Sequence, residues 1–461
     1  MKPVYIPVRR LGEMIRAGEV SPLELTEFFL DRLERLGPKY NAVVTVTRDR
    51  ALRNAAKAEK EIGNGLYKGP LHGIPFGVKD LLATSGGIPT TWGAAPFRNQ
   101  VFNYDATAVR RLEEAGAVLC AKLAMIELAG GMGYRQPNAS FTGPCRNPWN
   151  VETWSGGSSS GSGVAVAAGL VPFALGSETW GSILIPANNC GVAGLRPTYG
   201  LVSRFGAMPL SWTLDKIGPL CLTADDCGIV LEAIAGPDPA DPSASSSFKY
   251  ESQASERGFR LAFFKDVLEG VDDEPSKNFH KALNVLGEVA TIEEIEPPEM
   301  PYEAITRTII NAESASAFEE FIDSGRVTEL TAPEDRYPYA RMVIPATEYL
   351  RAMRLRGIVC KAIGRLIAPY DAVVAPTSRR AATPIDREFR NLSPSSRDIM
   401  GAAGNLAGLP AISIPNGFTR EGLPTGIQFM GSPFHENSII SVAKAYQSLT
   451  DWHERHPPEA L

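Results

Sequence analysis

The chain has 461 residues, 44% of them hydrophobic and 21% charged, with a formal net charge of −6. That composition suits a soluble globular protein with a sizeable core. No basic block is long enough to track phosphates, which argues against a nucleic-acid partner, and no apolar run reaches about 18 residues free of charge, which argues against a membrane span.

In chain order, the opening "MKPVYIPVRRLGEMIRAGEV" lacks the unbroken apolar stretch of a secretory signal, so a cytoplasmic location is expected. "SPLELTEFFLDRLERL" (21–36) reads as a helix, with Ser21 as N-cap, Pro22 at the first helical position and apolar residues at near-helical spacing. A second, more charged helix covers 49–63. "GPLHGIPFGVKDLLAT" (69–84) has short apolar pieces cut by Gly and Pro, as in a buried strand with turns. A helix over 105–118 ends near Gly116, and the strand "VLCAK" follows. Strand-like and helical pieces alternate to about residue 236, the pattern of an α/β layered fold.

"GPDPADPSASSS" (236–247) is a polar loop and a candidate seam. Beyond it come a strand in "FRLAFFKDV", a helix in "PSKNFHKALNVLGEVA", a long helix over 346–367, and a strand in "YDAVVAPTS". A polar loop over 379–398 precedes strands in "PAISIPNGF" and "GIQFMG", which could complete a sheet begun by the first half. One domain spanning 1–461 is therefore expected. The six cysteines, Cys120, Cys145, Cys190, Cys221, Cys227 and Cys360, form no CxxC pair and offer no metal-ligand spacing. They read as free thiols in a reducing compartment.

"WSGGSSSGSG" (154–163) has a linker's composition but runs straight into "VAVAAGLVPFALG" (164–176), one of the most apolar segments of the chain. Buried backbone needs its hydrogen bonds satisfied, so these glycines read as serving a tight bend rather than slack. Ser158 lies in this stretch. Ser182 lies in "GSETWGSILIP" (176–186), and Lys79 lies in the apolar "IPFGVKDLL". A serine hydroxyl attacks a carbonyl only with a base nearby. The five histidines, His72, His280, His435, His453 and His456, share no motif with these serines, and no G-x-S-x-G elbow is present. A buried lysine can serve instead, once burial has lowered its pKa to about 7–8 at a cost of about 4 kcal/mol. The alternative is a lysine whose amine snorkels to water. Asp80 does not decide between them, because strand neighbours point to opposite faces.

The segment "SGGSSSGSGVAVAAGLVPFALGSETWGSILIPANNCGVAGLRPTYG" (155–200) closely resembles the signature region of the amidase signature family. "GPLHGIPFGVKD", "LDKIGPL" (214–220), "NLAGLPAISIPNGF" and "GLPTGIQFMG" fit it in order, with a signature core of about 69–225. The resemblance implies a large mixed, twisted β-sheet between layers of helices. It also implies a Ser–cisSer–Lys triad: Ser182 as nucleophile, Ser158 as the bridging serine with a cis bond to Gly157, and Lys79 as base. Ser159 matches a supporting serine, while Ser160 and Ser162 read as backbone-capping residues. Backbone N–H groups of 179–182, carried by Thr179, Trp180, Gly181 and Ser182, would form the oxyanion hole. Gly130 and Gly131 fall near a substrate-contacting backbone position. The implied activity is hydrolysis of the C–N bond of a small or aryl amide, or of a carbamate (urethane), through an acyl-enzyme. It needs no metal or organic cofactor, and family members are often homodimers.

The family usually reads D-[TI]-G-G-S-I-R at the nucleophile. Glu178, Trp180 and Leu184 replace its Asp, Gly and Arg. The paired loss of Asp and Arg suggests a missing ion pair behind the nucleophile. Trp180 would be strained if its position required φ > 0; its indole either packs in the core or walls the acyl pocket. One rival function is that of the A subunit of the tRNA-dependent glutamyl amidotransferase, which releases ammonia from glutamine. "PYARMVIPATEYLRAMRLR" (338–356) stands where that protein carries a run resembling EVKRRILLG, so an amidase is expected in its place. The other rival is a non-catalytic ligand-binding descendant, against which the filled triad positions argue.

Overall fold

The computed structural model describes residues 3–133, 135–252, 258–388 and 398–458. Among the described residues, eleven strands form one mixed sheet in the order 43–46, 118–123, 75–79, 173–178, 216–221, 193–196, 411–418, 424–430, 372–376, 259–264 and 290–295. The strands at 118–123, 75–79 and 173–178 run parallel to one another, as do those at 372–376, 259–264 and 290–295. The pairs between these two groups are antiparallel. Strands on both sides of the 236–247 loop share this sheet, and the tail strand 411–418 pairs with 193–196 from the first half.

Period-two alternation divides the core between the two faces of the sheet. Phe76, Phe173, Leu175, Ile217 and Ile412 pack on one side with the helices Val8–Arg16, Ala224–Ile234 and Glu436–Ser448. Ala174, Leu220, Val373 and Met430 pack on the other with Ser160–Ala167, Leu184–Cys190, Tyr302–Ala317 and Ala346–Ile367. This is a mixed sheet between helical layers, the arrangement that the resemblance implies.

The local signals place most elements. The first long helix runs Pro22–Tyr40, capped by Ser21 Oγ accepting from the N–H of Leu23 and Glu24. The buried-strand segment yields Pro75–Lys79, the next helix Thr107–Glu114, and "VLCAK" the strand Val118–Leu123. The polar 236–247 loop is pinned by Thr107 and Ser203, whose hydroxyls donate to Asp238. Part of the polar 379–398 loop, 389–397, lies outside the described residues. The six cysteines are free, and only Cys360 is not fully buried.

Candidate active site

The sheet register builds the site. The parallel strands Pro75–Lys79 and Phe173–Glu178 are neighbours, with Val78 opposite Leu175. Their carboxyl ends therefore deliver Lys79 and Ser177 to the same place, the rim where open α/β sheets carry ligands. Lys79 Nζ lies 2.7 Å from Ser158 Oγ, 3.0 Å from Ser177 Oγ and 3.4 Å from the Ser177 carbonyl oxygen. The lysine is fully buried. Burial pulls its amine down to about 7, against the opposing pull of the Asp215 and Glu178 charges.

The Gly157–Ser158 peptide is cis, as the resemblance implies. The glycines beside it answer to crowding: a Cβ on Gly161 would lie 2.5 Å from both Ala124 N and Ala42 O. Ser159 ties the segment to the nucleophile loop. Its N–H donates to the Ser182 carbonyl at 3.2 Å, and its hydroxyl donates to the Ser177 carbonyl and accepts from the Ser177 N–H. Ser160 and Ser162 donate to the carbonyls of Ala124 and Leu175, the backbone role expected of them. Ser158 and Ser159 are fully buried, whereas Ser182 keeps 8% exposure.

Ser182 follows the strand Phe173–Glu178 and precedes the helix Leu184–Cys190, with Gly181 at φ +82° making the turn. Trp180 is not at positive φ, so the feared strain is absent; the neighbouring glycine takes the left-handed conformation. The indole is neither sealed in the core nor loose. Its N–H donates to Asp398 at 2.7 Å, and the Arg307 guanidinium lies 5.5 Å over the ring. Thr179 donates its hydroxyl to Asp215 at 2.5 Å, and Asp215 also accepts the N–H groups of Leu210 and Ser211.

The expected missing ion pair is corrected by the structure. Glu178 is fully buried and its Oε1 lies 2.9 Å from Arg196 Nη1, with Asn405 Nδ2 at 3.2 Å. Its Oε2 accepts the N–H groups of Ile183 and Leu184, the first turn after the nucleophile. A glutamate is one methylene longer than the family's aspartate, and the cation comes from the strand Ala193–Arg196 rather than from position 184, now leucine. Burial pushes the Glu178 carboxyl up, but the Arg196 charge and hydrogen bond hold it down to about 2.

Gly130 and Gly131 lie in a turn where Leu128, Ala129 and Gly130 all have positive φ. The residue leading into it, Ile126, donates its N–H to the Ser158 carbonyl at 3.2 Å, which ties the turn to the serine segment. The Arg341 guanidinium donates to the Gly131 carbonyl. Asp80 turns away and pairs with the buried Lys122 at 3.1 Å. Ser177, Asp215, Arg196, Asn405 and Asp398 had no signal of their own in the sequence. Of these, all but Asp398 lie inside quoted motifs. Among the described residues no group of three or more His, Cys, Asp or Glu could hold a metal ion, and no helix is long and apolar enough to cross a membrane.

The family model for amidases matches residues 24–440. The chain belongs to the amidase family. Among the chain's curated relatives, the A subunit of the glutamyl-tRNA(Gln) amidotransferase of Roseiflexus castenholzii is 38% identical, covering 99% of this chain and 98% of its own. Its counterpart in Carboxydothermus hydrogenoformans is 34% identical over 99% and 100%. Among solved structures, the peptide amidase of Stenotrophomonas maltophilia superimposes with a TM-score of 0.85 at 31% identity over 99% of each chain. The amidotransferase A subunit from Thermotoga maritima gives 0.77 at 30% identity over 96% and 94%. The curated names lean against the expectation that sets this chain apart from the amidotransferase.

Proposed function

We propose that the chain cleaves the C–N bond of an amide through an acyl-enzyme on Ser182, with Ser158 and Lys79 relaying protons. The observation that carries this is the fully buried Lys79 amine 2.7 Å from Ser158 Oγ. A neutral amine has two N–H groups and one lone pair. The two oxygens of Ser177 can take the N–H groups, leaving the lone pair for the Ser158 O–H. Ser182 Oγ bonds to the carbonyl carbon as its proton passes to Ser158, whose own proton passes to Lys79. Backbone N–H groups of 179–182 receive the oxyanion, each donor contributing about 2.7–4 kcal/mol. The C–N bond breaks and the amine leaves with the returned proton. Water then adds to the acyl-enzyme and releases the acid.

Two substrate classes fit this chemistry. Full-length identity to the amidotransferase relatives favours glutamine as the amide, with the ammonia passed on in a complex; the curated relatives support this at least as well as simple hydrolysis. The peptide-amidase likeness, and the wording at 338–356, favour hydrolysis of a small or aryl amide, with carbamates as chemically equivalent substrates. Labelling with a fluorophosphonate, followed by peptide mapping, tests the nucleophile: a modified Ser182 supports the reading, and an unlabelled native enzyme removes it. Initial rates on glutamine, acetamide, anilides and carbamates then separate the classes. Preferred glutaminase activity, with a co-purifying partner protein, would decide for the amidotransferase.

A further inference from the structure

The loop that carries Ser182 is fastened residue by residue. Glu178 is held by Arg196 and Asn405, and Thr179 by Asp215. The Gly181 carbonyl accepts the Ile185 N–H at 2.9 Å, and the Ser182 carbonyl accepts the Ser159 N–H at 3.2 Å. Trp180 is fastened through its side chain, by the 2.7 Å bond from its indole N–H to Asp398 Oδ2. Among the described residues the backbone N–H groups of Trp180, Gly181 and Ser182 donate to no acceptor, which leaves them for an oxyanion. We propose that Asp398 is a positioning residue: by clamping the Trp180 indole it fixes the peptides on either side of residue 180 and so aims the N–H groups of Trp180 and Gly181. The inference rests on the acyl-enzyme reading above.

The surroundings are shaped for this clamp. The second oxygen of Asp398, Oδ1, accepts the Gly401 N–H at 2.9 Å, which orients the carboxylate. A Cβ on Gly401 would lie 2.7 Å from Trp180 Nε1 and closer still to Asp398 Oδ2, so only glycine there leaves room for the bond. Asn405 joins the same turn to the start of the loop, donating to the Gly401 carbonyl at 2.8 Å and to Glu178 at 3.2 Å. One short segment, 398–405, therefore grips residues 178 and 180 together. The Arg307 guanidinium covers a face of the indole at 5.5 Å. The glycine that the family usually carries at position 180 has no side chain to be held this way.

The loop needs such a hold because of its neighbour. Gly181 makes the turn at φ +82°, and with no Cβ it does little to restrict the peptide that joins it to Trp180. An oxyanion donor contributes fully only when it is aimed before the reaction begins. A hydrogen bond to a carboxylate is of the stronger, charge-assisted kind, suited to holding residue 180 still.

The test is the inactivation of the full chain by a fluorophosphonate, resolved into the maximal rate, kinact, and the half-saturating concentration, KI. Phosphonylation of Ser182 places a P=O oxygen where the oxyanion would lie. Loss of a whole donor costs about 10²–10³ in rate, so Asp398→Ala and Trp180→Phe, which misaim donors, should each lower kinact about tenfold or more and leave KI within about twofold. Asp398→Asn, which keeps one acceptor oxygen, should recover most of the rate. The double variant Trp180→Phe/Asp398→Ala should match the slower single within about twofold, because both remove one contact. A merely structural role would lower the urea midpoint and leave kinact of the folded protein unchanged; that result would overturn the inference, as would losses that multiply in the double variant. If Asp398→Ala does not fold, Trp180→Phe, whose ring fills much of the same space, decides alone. The native protein separates the failures: without labelled Ser182 the acyl-enzyme reading falls and takes this inference with it, and with Ser182 labelled equally fast in native and variant chains only the positioning role falls.

Discussion

Replacing Arg196 by Met tests how the nucleophile loop is held. Arg196 and Glu178 are both fully buried and lie 2.9 Å apart. Removing one partner of a buried pair leaves an uncompensated charge and costs about 3–5 kcal/mol. The Glu178 carboxyl gives an independent scale, since holding it near 2 rather than 4.5 corresponds to about 3 kcal/mol. The sign is that of a depressed carboxyl: its contribution is fully present above the unfolded pKa of 4.5 and is lost as pH falls through about 2. Arg196→Met should therefore lower the urea midpoint at pH 7 by the equivalent of about 3–5 kcal/mol. The deficit should shrink as the medium is acidified towards about 2. Adding Glu178→Gln should recover part of the loss, because the buried charge goes with it. Labelling of Ser182 should also slow, since Glu178 holds the N–H groups of Ile183 and Leu184 directly after the nucleophile. A deficit under about 1 kcal/mol, the scale of a surface pair, or one independent of pH, would refute the reasoning.

Three further outcomes follow. If neutral Lys79 is the base, kcat/KM should fall tenfold per pH unit below about 7, and Asp215→Asn, which removes an anion favouring the protonated amine, should move that acid limb to lower pH. Lys79→Met should abolish turnover and also flatten a stability slope: the buried amine binds fewer protons folded than unfolded between about 7 and 10.5, so native stability rises with pH there and the variant's should not, as denaturation from pH 7 to 10 would register. Gly161→Ala pushes a methyl to 2.5 Å from two backbone atoms, and a loss of about 1–3 kcal/mol by urea titration is expected.

The Gly/Ser stretch shows how far local reading carries. Its apolar continuation argues against a linker, and in the structure Gly161 sits against two backbone atoms where no side chain fits. The helix Pro22–Tyr40 carries its start in Ser21 and Pro22. Lys79, Ser158 and Ser182 stand out because a lysine in an apolar strand and two glycine-flanked serines are unusual chemistry in plain view. The expected loss of an ion pair shows where such reading stops. Glu178 finds its cation 18 residues along the chain, on a strand two places across the sheet, and nothing near either residue announces it.

The sequence by itself determined the elements, the alternation that buries two faces of a sheet, and the residue types able to do acyl chemistry, because caps, period and side-chain chemistry are local. Tertiary structure decided the partnerships: Lys79 with Ser177 across 98 residues, Thr179 with Asp215, and Trp180 with Asp398 across 218. Those depend on strand order and register, and a slip of one residue would turn each side chain to the opposite face.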